Sequence, residues 1–112
     1  MTVSRRWTSL PPLALLGVAG LVWSAWAATT EIMQRGRAFL PNTVQIHKGE
    51  TVTFTNNDGD LLHHAYLTTP QFSFDTGEQV AGGQVQVRFT KEGNFTVLCA
   101  IHPKMRLVVT VE

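Results

Sequence analysis

Cys99-Ala100-Ile101-His102-Pro103-Lys104-Met105 decides how this chain is read. A thiolate, an imidazole and a thioether stand at i, i+3 and i+6 in one short segment. Soft sulfur donors beside imidazole favour transition metals over the hard cations that carboxylates hold. Two His and one Cys in a trigonal plane, with a long and weak axial Met, is the donor set of copper sites that move single electrons. The segment supplies three of those four donors. The second imidazole must come from elsewhere, and His63-His64 stands upstream at a predicted strand start.

Strand parity tests each donor in turn. Phe95, Val97 and Cys99 share one face of a predicted strand, so Cys99 is expected to point inward at the end of that strand. A lone buried Cys is usually an inert small hydrophobe. That plainer reading gives way once His102 and Met105 follow at this spacing. His63 shares a face with the apolar Ala65 and Leu67, whereas His64 shares one with Tyr66. His63 is therefore the predicted ligand and His64 is expected to face outward. Met105, three residues after His102, is predicted to be the axial donor. Met33 is read as packing, and His47 as solvated strand surface.

The same period of two runs through the rest of the chain. Val44 and Ile46 alternate with Thr43, Gln45 and His47. Val52 and Phe54 alternate with threonines, Val85, Val87 and Phe89 with Gln84, Gln86 and Arg88, and Leu107, Val109 and Val111 close the chain. Turn formers at Lys48-Gly49-Glu50, Asn56 to Asp60 and Lys91-Glu92-Gly93 separate these runs. With a first strand near Thr30 to Arg37 and another near His64 to Leu67, the pattern predicts an all-β sandwich of about seven to eight strands. Thr68 to Gly83 is the least regular stretch and is read as a short helix or as loop alone.

Residues 1–27 read as a cleaved signal peptide rather than as part of the fold. Arg5 and Arg6 precede an apolar run from Leu13 to Trp23, and Ala25-Trp26-Ala27 gives an A-x-A cleavage site. That run is about eleven residues long, short of the roughly 20 that a membrane span needs, although an uncleaved anchor is the main competitor. Ser4-Arg5-Arg6 hints at twin-arginine export, with Thr8 where an apolar residue would help. Removing the leader leaves residues 28–112 as one small domain, and takes all three tryptophans (Trp7, Trp23, Trp26) with it. The 9 basic residues then fall to 7 against 8 acidic ones, a formal charge of −1, which offers no basic patch for nucleic acid. An exported chain with a single Cys has no internal disulfide to make, and ligand spacing marks Cys99 as a metal donor.

These residues resemble the cupredoxin family, most closely its small amicyanin and pseudoazurin type and somewhat less the plastocyanins. The resemblance runs through Phe39-Leu40-Pro41, Val44 to Gly49, Val52 to Asn57, the His63 segment, Phe89 to Phe95 and the Cys-x-x-His-x-x-Met loop. It implies a Greek-key sandwich holding one type 1 copper ion on His63, Cys99, His102 and Met105. It further implies a periplasmic, monomeric one-electron carrier cycling between Cu(II) and Cu(I), rather than an enzyme. Its partners would be redox proteins, such as a c-type cytochrome or a periplasmic dehydrogenase or oxidase, docking weakly and briefly near His102. No membrane contact is expected after cleavage. Pro103, Leu40, Pro41 and Leu62 are expected to make an apolar patch there, with Lys104 and Arg106 beside it.

The chain departs from the family pattern twice. Where the family usually has Asn after the first His ligand, tying the two ligand loops together, this chain has His64. An imidazole there is expected to donate one hydrogen bond in its place and to make the tuning of the site depend on pH. Where Gly often follows the axial Met, Arg106-Leu107 follow here.

Two other functions share parts of this signature. A copper carrier without electron transfer would use the same ligands, but residues 28–112 carry none of the Met- or His-rich tracts that would favour it. A copper oxidase or nitrite reductase fragment needs further copper centres built from several more His, and after His63, His64 and His102 only His47 remains. Zinc accepts Cys and His, but the thioether favours copper.

Overall fold

Alternating apolar and polar residues make strands that bury one face, and the chain is built from such strands. The computed structural model describes residues 29–112 and, ahead of them, Ser4 alone. The predicted leader and its cleavage point after Ala27 therefore lie outside the described residues, Ser4 excepted. Nine strands form: β1 (Thr29–Gln34), β2 (Phe39–Leu40), β3 (Thr43–Ile46), β4 (Thr51–Asn56), β5 (Ala65–Thr68), β6 (Ser73–Asp75), β7 (Gln84–Arg88), β8 (Gly93–Cys99) and β9 (Arg106–Val111).

They make two sheets, one ordered β2-β1-β4-β7 and the other β3-β9-β8-β5-β6. Two pairs are parallel. β1 runs with β4, Thr29 opposite Thr51 through Gln34 opposite Asn56, and β3 runs with β9, Thr43 opposite Val108 through Ile46 opposite Val111. The chain crosses between sheets from β2 to β3, from β3 to β4, from β4 to β5, and again before and after β7, the Greek-key habit of antiparallel sandwiches.

Parity places the core as the alternation predicts. Phe95, Val97 and Cys99 of β8, Leu107, Val109 and Val111 of β9, and Ala65 and Leu67 of β5 are all buried. All six phenylalanines of the chain join in one cluster. Phe39 meets Phe54 (ring centroids 6.2 Å apart), Phe54 meets Phe74 (5.6 Å), and Phe89 touches Phe72 (5.2 Å), Phe74 (5.8 Å) and Phe95 (6.3 Å). Such edge and tilted contacts add to the large area each ring buries.

Thr68 to Gly83 holds neither a helix nor simple loop. Thr69 Oγ1 accepts from Phe72 N (2.9 Å) and donates to Phe72 O (2.6 Å), while Ser73 Oγ donates to Thr69 O (3.0 Å). These bonds turn the chain so that β6 pairs with β5, Leu67 opposite Phe74. Phe72 and Phe74 are delivered against the core by that turn. Further on, Gly82 N donates to Asn56 O (2.8 Å) and Gly83 O accepts from Asn56 N (3.0 Å), closing the segment onto the end of β4. A Cβ at position 83 would meet Val80 O at 2.9 Å, so this close approach requires glycine.

Met33 is not packing. It lies between the buried Ile32 and Gln34 on β1, hence on the opposite face, where it is 39% exposed and Asn57 Nδ2 reaches its sulfur at 2.9 Å. The inner place falls instead to the amide of Gln34.

Phe89 joins both sheets through three ring contacts at zero exposure. Phe89→Ala is expected to lower the unfolding free energy of the metal-free protein by about 3–5 kcal/mol, read from the urea midpoint at unchanged m-value. A loss well below that range would mean that the cluster collapses into the cavity or contributes little.

Candidate metal centre

In the β5–β8 ladder, Ala65 stands directly opposite Cys99. His63 precedes Ala65 by two residues and so shares its inward face, bringing an imidazole beside the thiol where β8 ends. A separate bridge holds His63 in place: its N donates to Gln79 O (3.2 Å) and its O accepts from Gln79 N (2.7 Å). After Cys99 the chain turns back, Met105 N donating to His102 O at 3.0 Å, and this turn swings His102 toward the same point.

Cys99 Sγ lies 4.0 Å from His63 Nδ1 and 3.8 Å from His102 Nδ1. The three donors all fall within 4.8 Å of one another, and the two imidazole rings are 5.1 Å apart between centroids. A metal bonding imidazole nitrogen at about 2.0 Å and thiolate at about 2.3 Å, with a trigonal angle between them, sets those atoms about 3.7 Å apart. The separations therefore fit one ion among three donors. Met105 is 2% exposed at the close of the loop, just before β9. His63 is fully buried and His102 partly so.

His64 stays out of this cluster. Its Nε2 makes a short contact with Asp75 Oδ1, and its ring meets Tyr66 edge-on at 6.5 Å. The expected hydrogen bond from the His64 imidazole to the other ligand loop is replaced by a backbone bond. Ala100 N donates to His64 O at 2.9 Å, so the two loops are joined whatever side chain stands at position 64. The Gly77 N–H, and then the His64 ring, hold the Asp75 carboxyl below the usual carboxylate range. His47 is exposed, away from the cluster.

Several residues that shape the site carried no motif. Asp58 Oδ2 lies 2.5 Å from His63 Nε2, and Asp58 Oδ1 accepts from Gly36 N at 2.9 Å. Burial pushes the Asp58 carboxyl up, but the Gly36 and Arg37 N–H groups and the His63 ring outweigh it and leave the carboxyl low. Asn56, buried at the end of β4, donates to Leu61 O (2.8 Å) and Gln79 O (2.7 Å) and accepts from Asp58 N (2.9 Å). Gln79 donates in turn to Phe54 O (3.0 Å) and accepts from Gln34 Nε2 (2.8 Å). The signal in the sequence was limited to turn-forming residues at 56–60 and gave no hint of which partners they would find.

The exposed side of His102 opens on a cleft of about 420 Å³ lined by Arg37, Ile101, His102, Pro103 and Lys104. A second cleft of about 240 Å³ shares Arg37 and Lys104 and reaches Leu40, Met105 and Arg106. Leu40 (42%), Leu62 (41%) and Ile101 (40%) are exposed apolar side chains. Burial lowers the His102 pKa, and the nearby His63 and Arg37 lower it further against the opposing Asp58, a net direction that favours the neutral ring a metal needs.

Comparison with known proteins bears on this arrangement. The family model "Copper binding proteins, plastocyanin/azurin family" matches residues 27–112. No curated protein matches the chain. Among solved structures, the copper-containing nitrite reductase (NirK) of Thermus scotoductus SA-01 is similar at 28% identity and a TM-score of 0.70, over 76% of this chain. The chain spans only 22% of that protein. Amicyanin from Paracoccus versutus (Thiobacillus versutus) is similar in fold at 24% identity and a TM-score of 0.68, over 77% of this chain and 83% of that one. A match through the whole described sandwich, together with two imidazoles and a thiol gathered at one end of it, settles the assignment: the chain belongs to the plastocyanin/azurin family of copper binding proteins, and its cofactor is a single type 1 copper ion.

Proposed function

We propose that this protein is a one-electron carrier in which His63, Cys99, His102 and Met105 hold the copper ion. The observation that carries the reading is the convergence of the His63 and His102 Nδ1 atoms on Cys99 Sγ at 4.0 and 3.8 Å. Copper bound there supplies a reversible Cu(II)/Cu(I) couple, with no bond made or broken in a substrate. Everything else is the work of the chain. Cys99 would hold the ion as a thiolate and provide the covalent path for charge, and Met105 would bring a thioether to tune its potential. The loop is braced at both ends by backbone bonds, Ala100 N to His64 O and Met105 N to His102 O, which supports ligands that move little between oxidation states.

His102 is the ligand nearest solvent, so its edge is the proposed exit for the electron. Exposed Leu40, Leu62 and Ile101 make the apolar surface expected of brief docking, and interfaces of electron-transfer pairs are small. Arg37, Lys104 and Arg106 line the adjoining clefts and supply positive charge to steer an acidic partner. A c-type cytochrome or a periplasmic dehydrogenase or oxidase suits such a surface. The secretory character of residues 1–27 supports removal of that segment and a periplasmic domain of residues 28–112, which we read as a monomer.

The likeness to a nitrite reductase raises one other reading, a piece of a copper enzyme. Among the described residues, His63-Cys99-His102 is the only cluster of three His, Cys, Asp or Glu side chains close enough to share an ion. The two remaining histidines are His47, which is exposed elsewhere, and His64, whose ring meets Asp75. The carrier reading is therefore preferred, and stopped-flow reduction of the copper-loaded protein by a c-type cytochrome, alongside an assay for nitrite turnover, separates the two. Rapid one-electron exchange without turnover is the expected result, and sluggish exchange with every redox partner would favour copper handling instead.

Two substitutions test the ligands. Cys99→Ser is expected to abolish the intense visible band of the copper-loaded protein, and an undiminished band would remove Cys99 from the site. His63→Ala is expected to disrupt the optical and paramagnetic-resonance signature far more than His64→Ala. Equal losses, or the reverse order, would overturn the assignment of His63.

A further inference from the structure

A metal-ligating imidazole needs its two nitrogens to do different things. One must offer a lone pair to the metal, and what bonds the other decides which one that is. In His63 the two nitrogens face different groups. Nδ1 looks toward Cys99 Sγ at 4.0 Å, and Nε2 meets Asp58 Oδ2 at 2.5 Å. Asp58 is only 12% exposed and His63 not at all, so the contact is largely shielded from competing water.

The carboxylate is held as firmly as the ring. Asp58 Oδ1 accepts from Gly36 N at 2.9 Å, in the turn that Arg35 and Ala38 close with reciprocal backbone bonds (3.1 and 3.2 Å). Asp58 N donates to Asn56 Oδ1, and the Asn56 amide is anchored on Leu61 O and Gln79 O. Gln79 also carries both backbone bonds of His63. The ring and its carboxylate are thus fixed against the same small frame.

Asp58 Oδ1 accepts the Gly36 N–H while Oδ2 faces His63 Nε2, and only a carboxylate can accept at both positions. An amide there has one acceptor oxygen. Turned toward Gly36, it would present its NH₂ to His63 Nε2 and ask that nitrogen to accept, moving the ring proton to Nδ1. Turned toward His63, it would set its NH₂ against the Gly36 N–H.

We propose that Asp58 is a positioning residue for the copper ligand His63, fixing the ring as the Nε2–H tautomer with Nδ1 turned to the metal and strengthening it as a donor to Cu(II). The proposal rests on His63 being a ligand. The carboxylate gives the ring partial anionic character, which favours Cu(II) more than Cu(I), and so lowers the reduction potential.

The tautomer is read first, in the metal-free wild-type protein at alkaline pH, from nitrogen chemical shifts of the His63 imidazole. The expected form carries its proton on Nε2, and a proton on Nδ1 would overturn the proposal with no variant needed. Asp58→Asn is expected to populate the Nδ1–H form. It is also expected to lower the Cu(II)-to-Cu(I) affinity ratio about tenfold, which is an upward shift of ~59 mV for one electron. Asp75→Asn removes the same charge from the neighbouring His64 and is expected to leave both the His63 tautomer and the potential unchanged. Equal shifts from the two variants would reduce Asp58 to a general electrostatic effect, and no shift from Asp58→Asn would overturn its role outright. His63 ring signals unmoved by added Cu(I) would instead overturn the ligand assignment beneath the proposal, a result that the tautomer measurement does not imitate.

Discussion

The register of one ladder governs this protein. Ala65 opposite Cys99 sets β5 against β8 so that the inward face of one continues into His63 and the inward face of the other ends in the thiol. Side chains alternate with a period of two, so a slip of one residue would bring His64 to the thiol and send His63 outward. Burial of Leu67 and Ala65 beside Val97 and Phe95 makes that slip costly, because it would expose the apolar set along with it. The hydrophobic core therefore selects which imidazole meets the thiol.

Above this core the sandwich ends in buried polar groups. Gln34, Asn56, Gln79 and His63 are nearly or wholly inaccessible, and three of them are amides with side-chain hydrogen bonds. Buried polar groups are tolerated when their partners are in place and are expensive otherwise. Here the partners are backbone carbonyls, Leu61 O and Gln79 O on Asn56 and Phe54 O on Gln79, together with the Gln79 side-chain oxygen on Gln34. The network ties irregular chain into a connected rim, which holds side chains from separate segments at their distances around the thiol.

The two histidines show how a shared chemistry is divided by environment. Each ring meets a carboxylate, His63 with Asp58 and His64 with Asp75. The first pair is enclosed and adjoins a thiol. The second sits at the surface, with Asp75 largely open to solvent. An exposed pair gains little because water competes for both partners. The enclosed pair keeps its direction, and direction is what a ligand requires.

The three side chains that converge, His63, Cys99 and His102, are legible in the chain itself because their placing follows short-range rules. The i, i+3, i+6 spacing of Cys99, His102 and Met105 is local, and the inward phase of Cys99 and His63 follows from alternation within single strands. The sandwich follows from the same alternation repeated along the chain. Asp58 on His63, Gln79 bracing it, Arg37 beside His102, the strand at Ser73–Asp75 and the outward turn of Met33 are not legible in this way. Each depends on which segments meet across a distance, and period and composition do not encode pairing. Local chemistry determined which side chains offer soft and imidazole donors, and tertiary contact alone decided what holds them in place, since a hydrogen bond between remote loops exists only once the sheets have brought them together.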